Sequence, residues 1–388
     1  MGADLAGEFA NGRFPKLRSD LTICNRDSAA IPIYSLMSMT ERPPQINVAI
    51  VGVTGAVGQE LGSVLAQSRL PIGRLRVFAS ERSQGRTIEF AGRQCTCEVL
   101  REGCFEGSDL ALFSAGKSIS SQWCPRAVAE GAWVVDNSSC FRMTPGVPLI
   151  VPEINGAELS ELNEPGIIAN PNCSTIIALM AVTPIHRRVP VRRMVVATYQ
   201  AASGAGAAAM HELEQQARDF AAGKSLNTTV LGRQCLFNCF SHNSAIGADG
   251  YNEEERKLLH ETRRIWGDSQ VRVSATCVRI PTLRAHAEAI NLTLDGSMTA
   301  EEARELLSRA PGVRVVDDRE GNRFPEPLAA TGQDDVLVGR IRADMGQDPG
   351  HGLELFVAGD QIRKGAALNA VQIAELIFAP RTALAARA

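Results

Sequence analysis

The chain has 388 residues, 45% of them hydrophobic and 21% charged, with a formal net charge of −3. That length accommodates two or three domains with buried cores, and the composition is ordinary for a globular protein. The small net charge supplies no field to gather nucleic acid or an anionic membrane, and no apolar run approaches the roughly 18–20 residues that span a bilayer.

Residues 1–45 mix Gly, Asn, Arg, Asp, Ser and Pro without a sustained period, and they lack the apolar core of a secretory signal. This extension reads as a disordered tail or as a start placed too early. The second reading is favoured, because Met37 and Met39 stand just ahead of the first strand. From Ile46 short apolar runs alternate with helical stretches. Strands are expected over 46–53, 75–79, 109–113 and 133–136, and helices over 59–67 and 120–130. This pattern specifies a Rossmann-like, doubly wound parallel α/β sheet, whose ligands bind at the carboxyl ends of the strands.

After about residue 170 the texture changes. A helix is expected over 175–186 and a strand over 191–199, followed by a Gly/Ala turn and a charged helix. Further strands fall at 271–280, 289–294 and 353–358, and a helix at 299–308. These compose a second, α+β domain with an antiparallel-rich sheet. The final helical stretch, 369–378, carries Ala370, Ile373, Ala374 and Ile377 on one face and is expected to pack back on the first sheet. The expected division is therefore 46–172 with 361–388 for a cofactor domain, and 173–360 for a catalytic and dimerisation domain.

Ten cysteines are scattered along the chain, and neither Cys95/Cys97 nor Cys235/Cys239 has CxxC spacing. No metal site is expected, and free thiols point to a reducing, cytoplasmic setting.

The first turn, Gly52-Val-Thr54-Gly55-Ala56-Val57-Gly58, lies between a strand and a helix. Glycines there let the backbone approach a pyrophosphate while the helix N-terminus offers free N–H groups. The spacing is G-x-x-G-x-x-G, so a plain tight turn is the competing reading. The second strand ends at Ser80-Glu81-Arg82-Ser83. Two hydroxyls and a guanidinium suit a 2′-phosphate, and hence NADP, although Glu81 could serve a ribose hydroxyl instead.

Asn170-Pro-Asn-Cys173-Ser-Thr places a thiol at the start of an apolar helix. Free N–H groups there stabilise a thiolate, yet a small buried residue fits the position equally well. Arg279-Ile-Pro-Thr-Leu-Arg-Ala-His286 adds a guanidinium able to grip a carboxylate and an imidazole able to act as a base. Gln200, before Ser203-Gly204-Ala-Gly206, could orient a carbonyl. Read singly, each of these also suits a turn, a strand cap or a half-buried histidine.

Taken in order, these segments resemble the aspartate-semialdehyde dehydrogenase family from about Ile46 to the end. Val135-Asp-Asn-Ser-Ser-Cys-Phe-Arg142, Val151-Pro-Glu-Ile-Asn155 and Lys364-Gly-Ala-Ala367 add to the match. The related glyceraldehyde-3-phosphate dehydrogenases and N-acetyl-glutamyl-phosphate reductases would carry other neighbours beside the cysteine than Asn172 and Ser174. The resemblance implies Cys173 as acylated nucleophile, His286 as acid/base and Gln200 as a substrate-positioning amide. It further implies Arg279 for the substrate carboxylate, Glu254 for its amino group, and Arg142 and Lys257, with Asn137 nearby, for phosphate. Glu254 and Lys257 alone would also pass for an exposed i,i+3 ion pair.

Cofactor contacts are implied for Thr54 to Val57, Ser80 to Ser83, Ser203, Gly204 and Gln361. The implied reaction is the reversible, NADP-linked conversion of L-aspartyl 4-phosphate and L-aspartate 4-semialdehyde through a cysteine thioester. The implied partners are that small-molecule substrate, inorganic phosphate and a second copy, as homodimer or homotetramer. A non-catalytic paralogue would be expected to have lost part of this residue set.

Overall fold

The computed structural model describes residues 45–378. The extension expected over 1–45 lies outside the described residues except for Gln45, as does the stretch 379–388.

A first sheet has the order β3-β4-β2-β1-β5-β6-β7. Its strands are β1 (Ile46–Val51), β2 (Ile72–Phe78), β3 (Thr87–Phe90), β4 (Arg93–Glu98), β5 (Leu110–Phe113), β6 (Trp133–Asp136) and β7 (Ile167–Ala169). All pairs are parallel except the β3–β4 hairpin at the edge. Helices α1 (Ala56–Gln67) and α2 (Lys117–Ala129) connect its strands, and a short α3 (Pro152–Asn155) precedes β7. The central strands are buried on both faces, as continuous Val/Ile/Leu runs require. Leu61, Val64 and Leu65 of α1 cover one face, and Trp123, Cys124 and Ala127 of α2 cover the other.

The long helix α4 (Cys173–Arg188) leads into a second sheet. There follow β8 (Val191–Gln200), α5 (Ala207–Ala221), β9 (Phe240–Ser241), α6 (Glu253–Trp266), β10 (Arg272–Arg279) and β11 (His286–Leu294). Next come α7 (Ala300–Ser308), β12 (Val313–Val315), α8 (Pro327–Ala330), β13 (Val336–Ala343), β14 (Gly352–Gly359) and finally α9 (Leu368–Phe378). The order is β12-β13-β14-β11-β8-β10-β9. Antiparallel pairs dominate, but β8 and β10 run parallel, as do β12 and β13.

Helix α4 is buried on nearly every side from Ser174 to Ile185 and shares one core with Met194, Val196, Ile290 and Leu292 of the second sheet. A helix that is apolar all round belongs in a core. Ala370, Val371, Ile373 and Ala374 of α9 join Leu61 and Leu65 in the core of the first sheet. The last described helix therefore returns to the first sheet after the chain has built the second.

Several expected bounds shift. Strand β1 stops at Val51, and α1 begins at Ala56, three residues before the expected start. Helix α2 likewise begins at Lys117. Strand β13 and the β3–β4 hairpin were not anticipated. Gly339, Arg340 and Arg342 interrupt the apolar run of β13, and Arg93, Gln94 and Glu98 make β4 polar, so these strands owe their form to pairing with β14 and β2, which local propensity does not encode.

Candidate active site

The catalytic candidates meet because of strand register. Parallel β10 sets Arg279 beside Gln200 at the end of β8. Antiparallel β11 pairs Ala287 with Tyr199, and the next step of that register brings His286 to Gln200. Three residues distant in sequence thus form one row, Arg279–Gln200–His286, across adjacent strands. All three are about 1% exposed.

Helix α4 points its first turn at this row. Its N-cap is Asn172, whose Oδ1 accepts the N–H groups of Ser174 and Thr175 at 3.0 and 3.3 Å. Cys173 is therefore the first helical residue. Ser174 Oγ accepts a hydrogen bond from Gln200 Nε2 at 2.6 Å, joining the helix to the row. A Cβ on Gly365 would stand 2.9 Å from Cys173 Cβ, so only glycine lets that segment pass so close to the thiol.

Helix α6 brings the third side of the cleft. The capping box of Asn252 and Glu255 fixes its start, so Glu255 serves the backbone while Glu254 turns inward. Glu254 is 4% exposed and accepts from Asn172 Nδ2 at 2.9 Å and Gln200 Nε2 at 3.1 Å. Lys257 Nζ donates to Glu254 Oε2 at 2.8 Å. The i,i+3 ion pair is real, but it faces the cleft and its acid is buried.

Arg142 donates to Asn170 O, Asn137 O and Glu261 Oε1 at 2.8–3.1 Å. That leaves two of a guanidinium's five N–H groups for a ligand. Both side-chain ends of Asn137 are engaged, donating to Phe113 O and accepting from Asn170. Asn137 shapes the wall more than it offers free groups. Arg279 donates to Ala201 O at 2.6 Å and to Asn243 Oδ1 at 3.3 Å, while its Nε has no protein partner.

The electrostatics sort these groups. Burial, reinforced by Glu254, pushes the Cys173 thiol up to about 12, with Arg142 and Lys257 pulling the other way. The thiolate-stabilising helix terminus expected from sequence is thus opposed by desolvation, although Cys173 keeps an edge open to the cleft. Burial, with Arg279, lowers His286 to about 3, so its ring is neutral at ordinary pH. The Nδ1 of His286 accepts the N–H of Ala201 at 3.0 Å, so the neutral ring carries its proton on Nε2. Burial would raise the Glu254 carboxyl, but Lys257, His242 and the hydrogen bonds from Lys257 and Asn172 hold it well below the carboxylate range.

A cleft of about 340 Å³ joins these groups. Its walls include all eight residues expected for catalysis and substrate binding, together with Val57, Ser203, Gly204 and Gln361. Thr54, Ser80, Arg82 and Ser83 lie outside it. Gln361 accepts the Ala285 N–H at 2.8 Å and donates to Ser203 Oγ, which pins the loop ahead of His286. Gly204 lies so close that a Cβ there would stand 2.9 Å from Arg279 and 3.0 Å from His286.

The cofactor side is made from backbone. Gly52 has φ +87°, and a Cβ on Gly58 would run into the carbonyl of Gly52. The α1 N-cap, Gly55, contributes no side-chain cap, which leaves first-turn N–H groups available to an anion. Ser80 is exposed, and Glu81–Ser83 form a single 3-10 turn with Arg82 exposed after β2. A dinucleotide phosphate fits this terminus on these grounds. Among the described residues, no three His, Cys, Asp or Glu converge to hold a metal ion, and no helix is long and apolar enough to cross a membrane.

Sequence reasoning missed Glu261, His242 and the capping role of Asn172. Glu261 accepts from the Asn172 N–H at 2.6 Å as well as from Arg142. Its spacing of seven from Glu254 was the available signal, since both fall on one helix face.

Residues 47–162 match the family described as semialdehyde dehydrogenase, NAD binding domain, and residues 182–364 that described as semialdehyde dehydrogenase, dimerisation domain. An aspartate-semialdehyde dehydrogenase of Synechocystis sp. is 52% identical over 335 residues, covering 86% of this chain and 98% of that protein. The chain belongs to the aspartate-semialdehyde dehydrogenase family. Another family member, from Aquifex aeolicus, is 47% identical over 85% of this chain and 97% of its own. The crystal structure of aspartate semialdehyde dehydrogenase II from Vibrio cholerae complexed with ASA superposes with a TM-score of 0.83 at 40% identity, covering 86% of this chain and 98% of that one. The family's two-domain α/β architecture is the one described above.

Proposed function

We propose that the protein is an NADP-dependent aspartate-semialdehyde dehydrogenase that interconverts L-aspartyl 4-phosphate and L-aspartate 4-semialdehyde through a thioester on Cys173. The observation that carries this reading is the convergence on one thiol of a carboxylate-gripping arginine, an ionised carboxylate and two phosphate-binding cations. Arg279, with its unpartnered Nε, takes the substrate carboxylate. Glu254 takes the amino group, and Arg142 with Lys257 takes phosphate. Gln200 positions the substrate beside Cys173.

In the reductive direction the Cys173 thiol attacks the acyl carbonyl, its proton leaves with the expelled phosphate, and a thioester remains. NADP, when bound, supplies the hydride donor or acceptor. Collapse of the tetrahedral oxyanion then expels the Cys173 thiolate and frees the aldehyde. The resting tautomer of His286 suits this step, because Nε2–H can donate a hydrogen bond to that oxyanion. In the oxidative direction the Cys173 thiol adds to the aldehyde with its proton passing to the aldehyde oxygen; once hydride and that proton are lost, phosphate held by Arg142 and Lys257 attacks the thioester and expels the Cys173 thiolate. Gly52, Thr54, Gly55, Ala56, Val57 and Gly58 hold the pyrophosphate. Ser80, Arg82 and Ser83 would take the 2′-phosphate, and Ser203, Gly204 and Gln361 would add further cofactor contacts.

The proposed setting is the cytoplasm, in lysine, threonine, methionine and diaminopimelate synthesis. The assembly is a homodimer or homotetramer, with residues 46–172 and 361–388 binding cofactor and 173–360 carrying catalysis and dimerisation. Given aspartate semialdehyde and phosphate, purified protein should reduce NADP⁺ in preference to NAD⁺. Cys173→Ala should lower the rate by on the order of 10⁴-fold or more with the fold intact. Near-full activity in that variant would overturn the thioester mechanism.

A further inference from the structure

Behind the Arg279–Gln200–His286 row lies a second one. Register places Cys277 beside Thr198 on β8, and Thr198 opposite Glu288 on β11. Alternation along each strand turns all three to the same face as the catalytic row. The next residues on that face, Ala275, Val196 and Ile290, already belong to the apolar core beneath α4 and α6. Glu288 thus stands where the polar site meets the core.

Glu288 has no exposure, and neither of its carboxyl oxygens has a hydrogen-bond partner among the protein atoms. The hydroxyl of Thr198, also without exposure, is unpartnered, as is Gln200 Oε1. Cys277 of β10, Cys173 of α4 and Glu254 of α6 interact with Glu288 electrostatically, and Arg279 and His286 stand two residues along on the same strand faces. Strand β14 contributes Leu355, Val357 and Gly359, none of them titratable. Among the described residues no cation pairs with Glu288: Lys257 bonds Glu254, and Arg279, although its Nε is unpartnered, donates to Ala201 O and Asn243 and not to Glu288. An isolated buried carboxylate without a counter-charge or donors takes up a proton instead.

We propose that Glu288 is held as a neutral carboxylic acid beneath the catalytic row, so that it adds no charge to the site. The consequence is a charge count. Glu254 is the one ionised carboxyl touching the row, paired with Lys257 and available to the substrate amino group. An ionised Glu288 would add a second negative charge that holds the proton on Cys173 more tightly. Burial first, then Glu254, raise the Glu288 carboxyl well above the ordinary range, in keeping with the geometry. Two carboxyls of one site are thereby driven apart, one ionised and one neutral.

This role rests on the proposed reaction, but its primary test needs no substrate. The folded protein keeps a proton on Glu288 that the unfolded chain releases above pH 4.5, so stability falls as pH rises through that window. In Glu288→Gln that loss disappears. Its melting temperature should exceed that of the parent protein by a margin that widens from pH 5 to pH 8. At neutral pH it should keep kcat and kcat/KM within a few-fold, and its activity should extend further into alkaline pH. Glu288→Leu, which likewise carries no ionisable group, should show the same margin widening with pH. A stability margin that stays flat or narrows with pH, or a Gln variant as inactive as an active-site knockout in a working parent enzyme, would overturn the assignment. An inactive parent with the widening margin would instead sink the proposed reaction and leave Glu288 neutral.

Discussion

The glycine turn leading into α1, which meets the catalytic cleft only at Val57, and the opposite wall of that cleft are made of different material. The α1 wall is backbone: a seven-residue turn, the free N–H groups of a helix, and glycines that must be glycine because a Cβ would meet another peptide group. The opposite wall is side chain, with Cys173, Gln200, Glu254, Arg279 and His286 each supplied by a different element. A backbone site is contiguous, so its spacing can be read along the chain, whereas a side-chain site exists only once strands are in register. The backbone wall is also generic, offering anion binding to any dinucleotide. The side-chain wall carries one pattern of charges, which the proposed reaction assigns as a cation for a carboxylate, an anion for an amine and two cations for phosphate.

That contrast can be broken experimentally. The largest effect after loss of the nucleophile is expected on the side-chain wall. Arg279→Leu should lower kcat/KM for aspartate semialdehyde by about 10²-fold or more, chiefly through KM, while cofactor affinity measured by fluorescence titration stays near normal. If cofactor binding fell in parallel, the walls would not be separable. Gly58→Ala drives a Cβ into the Gly52 carbonyl and should cost about 1–3 kcal/mol in stability or cofactor binding. The rate of Cys173 labelling by a thiol reagent in the absence of cofactor should be unchanged there, and an altered rate would show that the turn also shapes the catalytic wall. The smallest effect is expected at exposed Arg82, where alanine should reduce the preference for NADP over NAD by about tenfold and leave kcat alone. An unchanged ratio would move 2′-phosphate recognition elsewhere.

Much of the site could be read from residue order, though unevenly. Cys173, Gln200, Arg279 and His286 were each ambiguous alone, because a cysteine at a helix start or a histidine after a strand is common in ordinary cores. Glu261 escaped notice since its work is to hold Asn172 and Arg142 in place, and a supporting carboxylate leaves no motif. The state of Cys173 was also invisible. Helix N-termini lower a thiol's pKa, and only the packing around Cys173 reveals that desolvation and Glu254 oppose this.

By itself, the sequence determined the alternation that makes the first sheet parallel, the glycine turn, the apolar helix behind Cys173 and the inventory of charged groups. These follow from period and from local backbone chemistry, which act between near neighbours. The tertiary structure alone decided that β8, β10 and β11 align Gln200, Arg279 and His286, and that α6 turns Glu254 and not Glu255 into the cleft. It alone left Glu288 without a counter-charge. Register, burial and ionisation depend on which distant atoms surround a group, and only the folded chain brings those atoms together.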